Sequence, residues 1–106
     1  MSAERQIEVH ALHWRGVDIE ITFEPKWLGI DRTADRCVAH LTLTARKPER
    51  APLPVTETGY LSHFIQPSEV EAAGGPVAYL QGWLDYMAQS RDWITWEQQS
   101  RQLSLF

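Results

Sequence analysis

Basic side chains are scarce in the second half of this chain. Residues 51–106 hold only Arg91 and Arg101 against six acids, whereas residues 1–50 carry eight of each sign, so the formal charge of −4 arises in the C-terminal half. No Lys/Arg cluster occurs anywhere. That argues against direct nucleic-acid binding, which needs a basic footprint to displace counterions, and against an anionic membrane surface. A single cysteine, Cys37, cannot form an internal disulfide and reads as a small buried hydrophobe in a reducing compartment. No apolar run approaches the roughly 18 residues of a membrane span, and the opening Met-Ser-Ala-Glu-Arg has no apolar signal-peptide core. A cytoplasmic location is the expectation. Also missing are a glycine-flanked serine elbow, a phosphate-cradling glycine loop and a paired-cysteine motif.

What is present is globular composition. Hydrophobic residues make up 43% and charged residues 23% of 106 residues, enough for one compact domain and too little for two. Tryptophan is in excess: there are five, against average usage of roughly one in a hundred. Either the core is built on indoles or some of them face a partner.

The first 45 residues read as strands. Val17 to Glu24 alternates strictly, with Val17, Ile19, Ile21 and Phe23 on one face and Asp18, Glu20, Thr22 and Glu24 on a wet, acidic one. Ile7 to Trp14 alternates less cleanly, and Arg15-Gly16 supplies the tight turn between the two. Cys37 to Ala45 gives a third strand. The connection of about a dozen residues between the second and third strands, with Pro25, Trp27, Gly29, Asp31-Arg32 and Asp35-Arg36, is a candidate functional loop. Residues 48–54, with three prolines, form an extended connector, and Tyr60 to Ile65 is a short fourth strand or a packed loop.

Helical patterns follow. Ser68 with Glu71 three residues on is a capping-box pattern that Gly74-Gly75 ends. Pro76 suits a first helical position, and Val77, Leu80, Leu84 and Met87 repeat at helical spacing. Ser90 is placed to cap a last helix over Arg91–Arg101, with Trp93 and Trp96 on one face. The expected fold is α+β: a three- to four-stranded antiparallel sheet with C-terminal helices packed on one face, forming one domain over residues 1–101.

The histidines are the first place to look for catalysis or a metal. His10 and His13 are three apart, which on a strand sets them on opposite faces; with His40 and His63, a site needs three separate elements to converge. A small metal- or ligand-binding enzyme built on these side chains and the acidic strand is therefore kept as an alternative.

The last five residues, Gln102-Leu103-Ser104-Leu105-Phe106, follow the polar stretch Glu97–Arg101 with two leucines and a phenylalanine. Exposed apolar clusters are sticky, so something should cover them. The pentapeptide resembles the bacterial sliding-clamp-binding motif at all five positions. By that resemblance Gln102 takes a polar subsite, Leu105 and Phe106 fill a hydrophobic cleft between two clamp domains, and Leu103 lies against the rim, with Ser104 between them. Burial of three such side chains is worth about 5 to 8 kcal/mol gross, which ordering of the tail reduces to roughly micromolar affinity. Trp93 and Trp96 are then candidates to extend the interface or to belong to the core. Stretches such as Pro52–Tyr60 and Glu71–Pro76 are loosely similar to small proteins of bacterial plasmids and other mobile elements.

The expected function is thus a non-enzymatic adaptor or regulator of DNA replication and repair, without a cofactor, whose partner is the DNA polymerase sliding clamp and whose contact with DNA is indirect. A self-associating structural domain, its tail packed on its own core or on a second copy, is the other alternative.

Overall fold

The computed structural model describes residues 7–26 and 38–103. Four strands, β1 (Glu8–Trp14), β2 (Val17–Glu24), β3 (Ala39–Lys47) and β4 (Tyr60–Ile65), precede three helices, α1 (Pro67–Ala73), α2 (Pro76–Met87) and α3 (Arg91–Leu103). The strands form an antiparallel meander in the order β1-β2-β3-β4. The fold is the expected α+β arrangement, and Tyr60–Ile65 is a paired strand rather than a loop.

The turn between β1 and β2 has Arg15 at φ 45° and Gly16 at φ 83°. Positive φ at both central residues is the signature of the hairpin turn whose twist matches the strands. Register follows from the period-2 pattern, because a slip of one residue would exchange the two faces. His10 pairs with Ile21, Leu12 with Ile19, and Ile21 with Leu43, so the apolar sets of adjacent strands share one face. On that face Ile21, Leu41 and Leu43 are at most 1% exposed.

The helices cover this apolar face. Leu80 and Leu84 of α2 and Val70 of α1 join the strand residues in a single core with Trp14, Leu53 and Trp93. Each fully buried aliphatic side chain contributes about 1.5–3 kcal/mol, so the two α2 leucines are a large share of what holds helix to sheet. At the other end of α2, Tyr79 and Trp83 pack with His63 of β4, ring centroids 5.0 Å apart for His63 and Trp83. Burial there, helped by the negative charge of Glu69, raises the Tyr79 phenol above its ordinary range.

Helix ends follow local chemistry, with one departure. Gly74 at φ 102° ends α1, and the Gly75 N–H donates to the Val70 carbonyl at 2.9 Å, which completes a Schellman motif. The Ser68–Glu71 pair, however, does not cap the helix. Gln66 is the N-cap residue, without a side-chain cap, and Pro67 is already helical. Proline at the first helical position loses no intrahelical bond, and its fixed φ suits the helix, so it starts α1 two residues earlier than a capping box would. At α3 the expectation holds, since the Trp93 N–H donates to Ser90 Oγ at 3.2 Å.

The connector between β3 and β4 crosses the end of the sheet where α3 begins. Gly59, at φ 77°, lies so close to it that an added Cβ would sit 2.6 Å from the Arg50 Cα, so glycine is required there. The Ala45 N–H donates to the Gly59 carbonyl at 2.8 Å, and Leu53 and Thr56 exchange two backbone bonds. These contacts hold Pro48–Pro54 against the core through buried Leu53. No helix among the described residues is long and apolar enough to cross a membrane.

Candidate partner-binding site

Trp93, one turn into α3, is buried and packs on Trp14 at 6.0 Å between ring centroids, with an angle of 50°. The Trp14 indole N–H donates to Asp85 Oδ1 at 2.9 Å, tying the end of β1 to α2. Trp96, one turn further, stacks on Trp93 at 4.7 Å and 25° and is 40% exposed. The two sequence-predicted indoles therefore divide their roles. Trp93 belongs to the core, and Trp96 stands above it at the surface. Arg15 lies over the Trp14 ring at 5.0 Å and donates to the Glu97 carboxylate at 3.2 Å, joining the hairpin turn to α3.

This indole pair lines two grooves. One, of about 940 Å³, is lined by Trp14, Pro48, Arg50, Trp96 and Ser100 among others. The second, of about 570 Å³, is bounded by Leu53, Pro54, Met87 and the acids Glu57 and Asp92. Pro52, Trp93 and Trp96 are common to both. Among the described residues, Trp93 Nε1 is the one buried side-chain nitrogen or oxygen with no hydrogen-bond partner. An unmatched buried donor costs about 1–3 kcal/mol, and a structure that keeps one invites explanation. The connector's part in these grooves was not legible from sequence, where its prolines read as a spacer; the available signal was a proline-rich run near in space to surplus tryptophans.

Of the pentapeptide, Gln102 and Leu103 continue the backbone of α3, and Ser104, Leu105 and Phe106 lie outside the described residues. The loop from Trp27 to Arg36 and Cys37 also lie outside them.

The histidines do not converge. Register places His10 and His63 on the helix-covered face, on strands at opposite edges of the sheet, roughly 14 Å apart by strand spacing. His13 and His40 lie on the other face, His13 bonded to Asp18 at 2.7 Å and His40 to Ser62 at 2.7 Å. His40 also stacks on Phe64 at 4.6 Å. Among the described residues no three His, Cys, Asp or Glu side chains are grouped to hold a metal ion. Two of the β2 acids have ordinary partners, since Arg46 donates to Glu20 at 2.7 Å and His13 takes Asp18, while Glu24, expected on the wet face, is buried. The exposed ladder is otherwise Thr22 and Thr42, which share a hydrogen bond, with Thr44 beside them.

An antiparallel four-stranded meander with helices on one face, and grooves lined by tryptophan and proline where the last helix meets the sheet, defines a small α+β domain. A family model described as the KlcB third domain matches residues 7–93, and the chain belongs to that family. The match spans all four strands, α1 and α2 and reaches Trp93, so Trp96 and the pentapeptide fall beyond it. No curated protein and no solved structure matches the chain.

Proposed function

We propose that the protein is a non-enzymatic, cytoplasmic adaptor or regulator of DNA replication and repair that docks on the bacterial DNA polymerase sliding clamp through Gln102–Phe106. The observation that carries this reading is the five-position agreement with the clamp-binding pentapeptide. Two features support it. The family match ends at Trp93, ahead of the pentapeptide, so the motif lies outside the matched stretch. The helix that leads into it is mostly polar beyond Trp96, as a stem would be. In this reading DNA is approached through a protein that encircles it, which suits the scarcity of basic residues after Arg50.

The test is a binding measurement between purified protein and a bacterial sliding clamp, alongside the Leu105→Ala/Phe106→Ala double variant. Affinity near micromolar is expected for the intact chain, and a loss of at least about tenfold for the variant. Equal binding by both, or none at tens of micromolar, sinks the proposal. A recruiter and a competitor of polymerase docking differ in the cell: overproduction of a competitor arrests DNA synthesis, and the double variant does not.

A further inference from the structure

We propose that β1 is the docking edge for a second copy of this chain: two β1 strands pair antiparallel about a two-fold axis at Ala11 and join two four-stranded sheets into one continuous sheet. The pentapeptide takes no part in this contact.

The first hairpin decides which groups β1 turns outward. Its two-residue turn, Arg15-Gly16, closes on the pair Trp14–Val17, which in such a turn exchanges both backbone hydrogen bonds. Bonded and non-bonded pairs then alternate along the strand. Leu12, His10 and Glu8 therefore bond to β2, and the N–H and C=O groups of His13, Ala11 and Val9 point away from the sheet. Among the described residues nothing bonds these outward groups. A groove of about 670 Å³ is lined by all five residues from Val9 to His13, which leaves room alongside the strand.

The opposite edge, β4, is treated differently. The Ala45 N–H donates to the Gly59 carbonyl, so the next residue, Tyr60, turns its backbone outward. The chain caps it: the Tyr60 carbonyl accepts from Thr56 Oγ1 at 2.7 Å and from Thr58 Oγ1 at 3.3 Å, and its N–H donates to Thr58 Oγ1 at 3.4 Å. The strand then runs into α1 at Pro67. Sheets commonly blunt an edge with proline, lysine or a bulge, and β1 has none of the three.

The sequence of β1 selects a copy of itself as the occupant. Glu8–Trp14 is centred on Ala11, so antiparallel self-pairing there uses the whole strand. It sets Val9 against the partner's His13 and Ala11 against the partner's Ala11, each as a bonded pair, and matches every outward group. Ala11 is exposed and small, and Val9 is 65% exposed. Charge follows the same symmetry. The one acid of the strand, Glu8, lies at its start, while the Arg15 guanidinium lies over the Trp14 ring at its end. Antiparallel pairing sets each Glu8 opposite the partner's Trp14, beside that guanidinium. An unrelated strand would satisfy the backbone without this match.

The test uses the full chain. Sedimentation equilibrium at up to about 200 μM should show a reversible dimer, because an edge contact this short sits at the weak end of specific interfaces. Ala11→Lys brings two ammonium groups together at the axis, and Ala11→Pro removes an N–H that does not face β2. Each should weaken the dimer by about tenfold or more while far-UV circular dichroism shows the fold kept, and Glu8→Lys should weaken it by about threefold. In a Cys37→Ser background, Ala11→Cys should form an interchain disulfide at least about tenfold faster than Val9→Cys. The Cα atoms of a bonded pair lie about 5.5 Å apart, whereas the two Val9 positions lie roughly 13 Å apart, beyond the reach of a disulfide. The Leu105→Ala/Phe106→Ala and Trp96→Ala variants should dimerise as the parent does, so this proposal and the clamp proposal can fail separately. A monomer at the highest concentration overturns the site. So does a dimer that survives both Ala11 variants, equal cross-linking at the two cysteines, or loss of the dimer in the tail or Trp96 variant.

Discussion

Helices α2 and α3 are of similar length and follow one another after a short turn, yet they are built to opposite ends. In α2, Leu80 and Leu84 are fully buried and the helix lies on β1 and β2. In α3, Trp93 is buried, while Ile94 and Trp96 remain 43% and 40% exposed. A helix that stabilises a domain spends its apolar residues on the core. A helix that leaves them exposed one turn beyond its last core contact has its surface available for something else. The difference places the larger share of stability in α2 and leaves apolar surface exposed on α3.

The sharpest way to break that comparison is to cut one methylene-rich side chain from α2. Leu84→Ala is expected to cost about 2–5 kcal/mol, because Leu84 is 0% exposed and its neighbours on the sheet cannot fully collapse into the space left. Urea denaturation followed by far-UV circular dichroism reads this directly. A cost below about 1 kcal/mol would mean that α2 is not what closes the core.

The next effect is at the start of α3. Ser90→Ala removes the acceptor that holds the Trp93 N–H and is expected to cost about 1 kcal/mol. Hydrogen exchange localises it: the first turn of α3 should lose protection while β2 and β3 keep theirs. Uniform loss would show α3 to be as integral to the fold as α2.

How much of this was legible in the sequence depends on how local the cause is. The apolar face of β2, the Arg15-Gly16 turn, Gly74 as a helix stop and Ser90 as a cap were all readable, since each rests on period or on one residue's conformational preference; Glu24, expected on the wet face of β2, is instead buried at 3% exposure. The α1 start was misread because two local rules competed, and Pro67 at the first helical position prevailed over Ser68 with Glu71. The grooves were not readable at all. They depend on Pro52 from the connector, Trp14 from β1 and Trp96 from α3 meeting at one end of the sheet, and no spacing along the chain encodes that meeting. The histidines show the converse: their spacing left convergence open, and register separates them onto two faces.

The smallest expected effect sharpens the comparison most. Ile94→Ala on α3 deletes more apolar surface than many core substitutions, yet Ile94 is 43% exposed and alanine is the better helix former. The two contributions oppose each other, and the net change in stability should fall within about 0.5 kcal/mol, against several for Leu84→Ala. Measured at two protein concentrations, the result has a second use. If Ile94→Ala destabilises by as much as a core substitution, and does so only at the higher concentration, then a second copy covers this face. The exposed stripe of α3 would then be a self-association surface, and the grooves beside Trp96 would already be engaged by the protein itself. If the cost stays near zero at both, the face is open in the isolated protein and free to receive a partner.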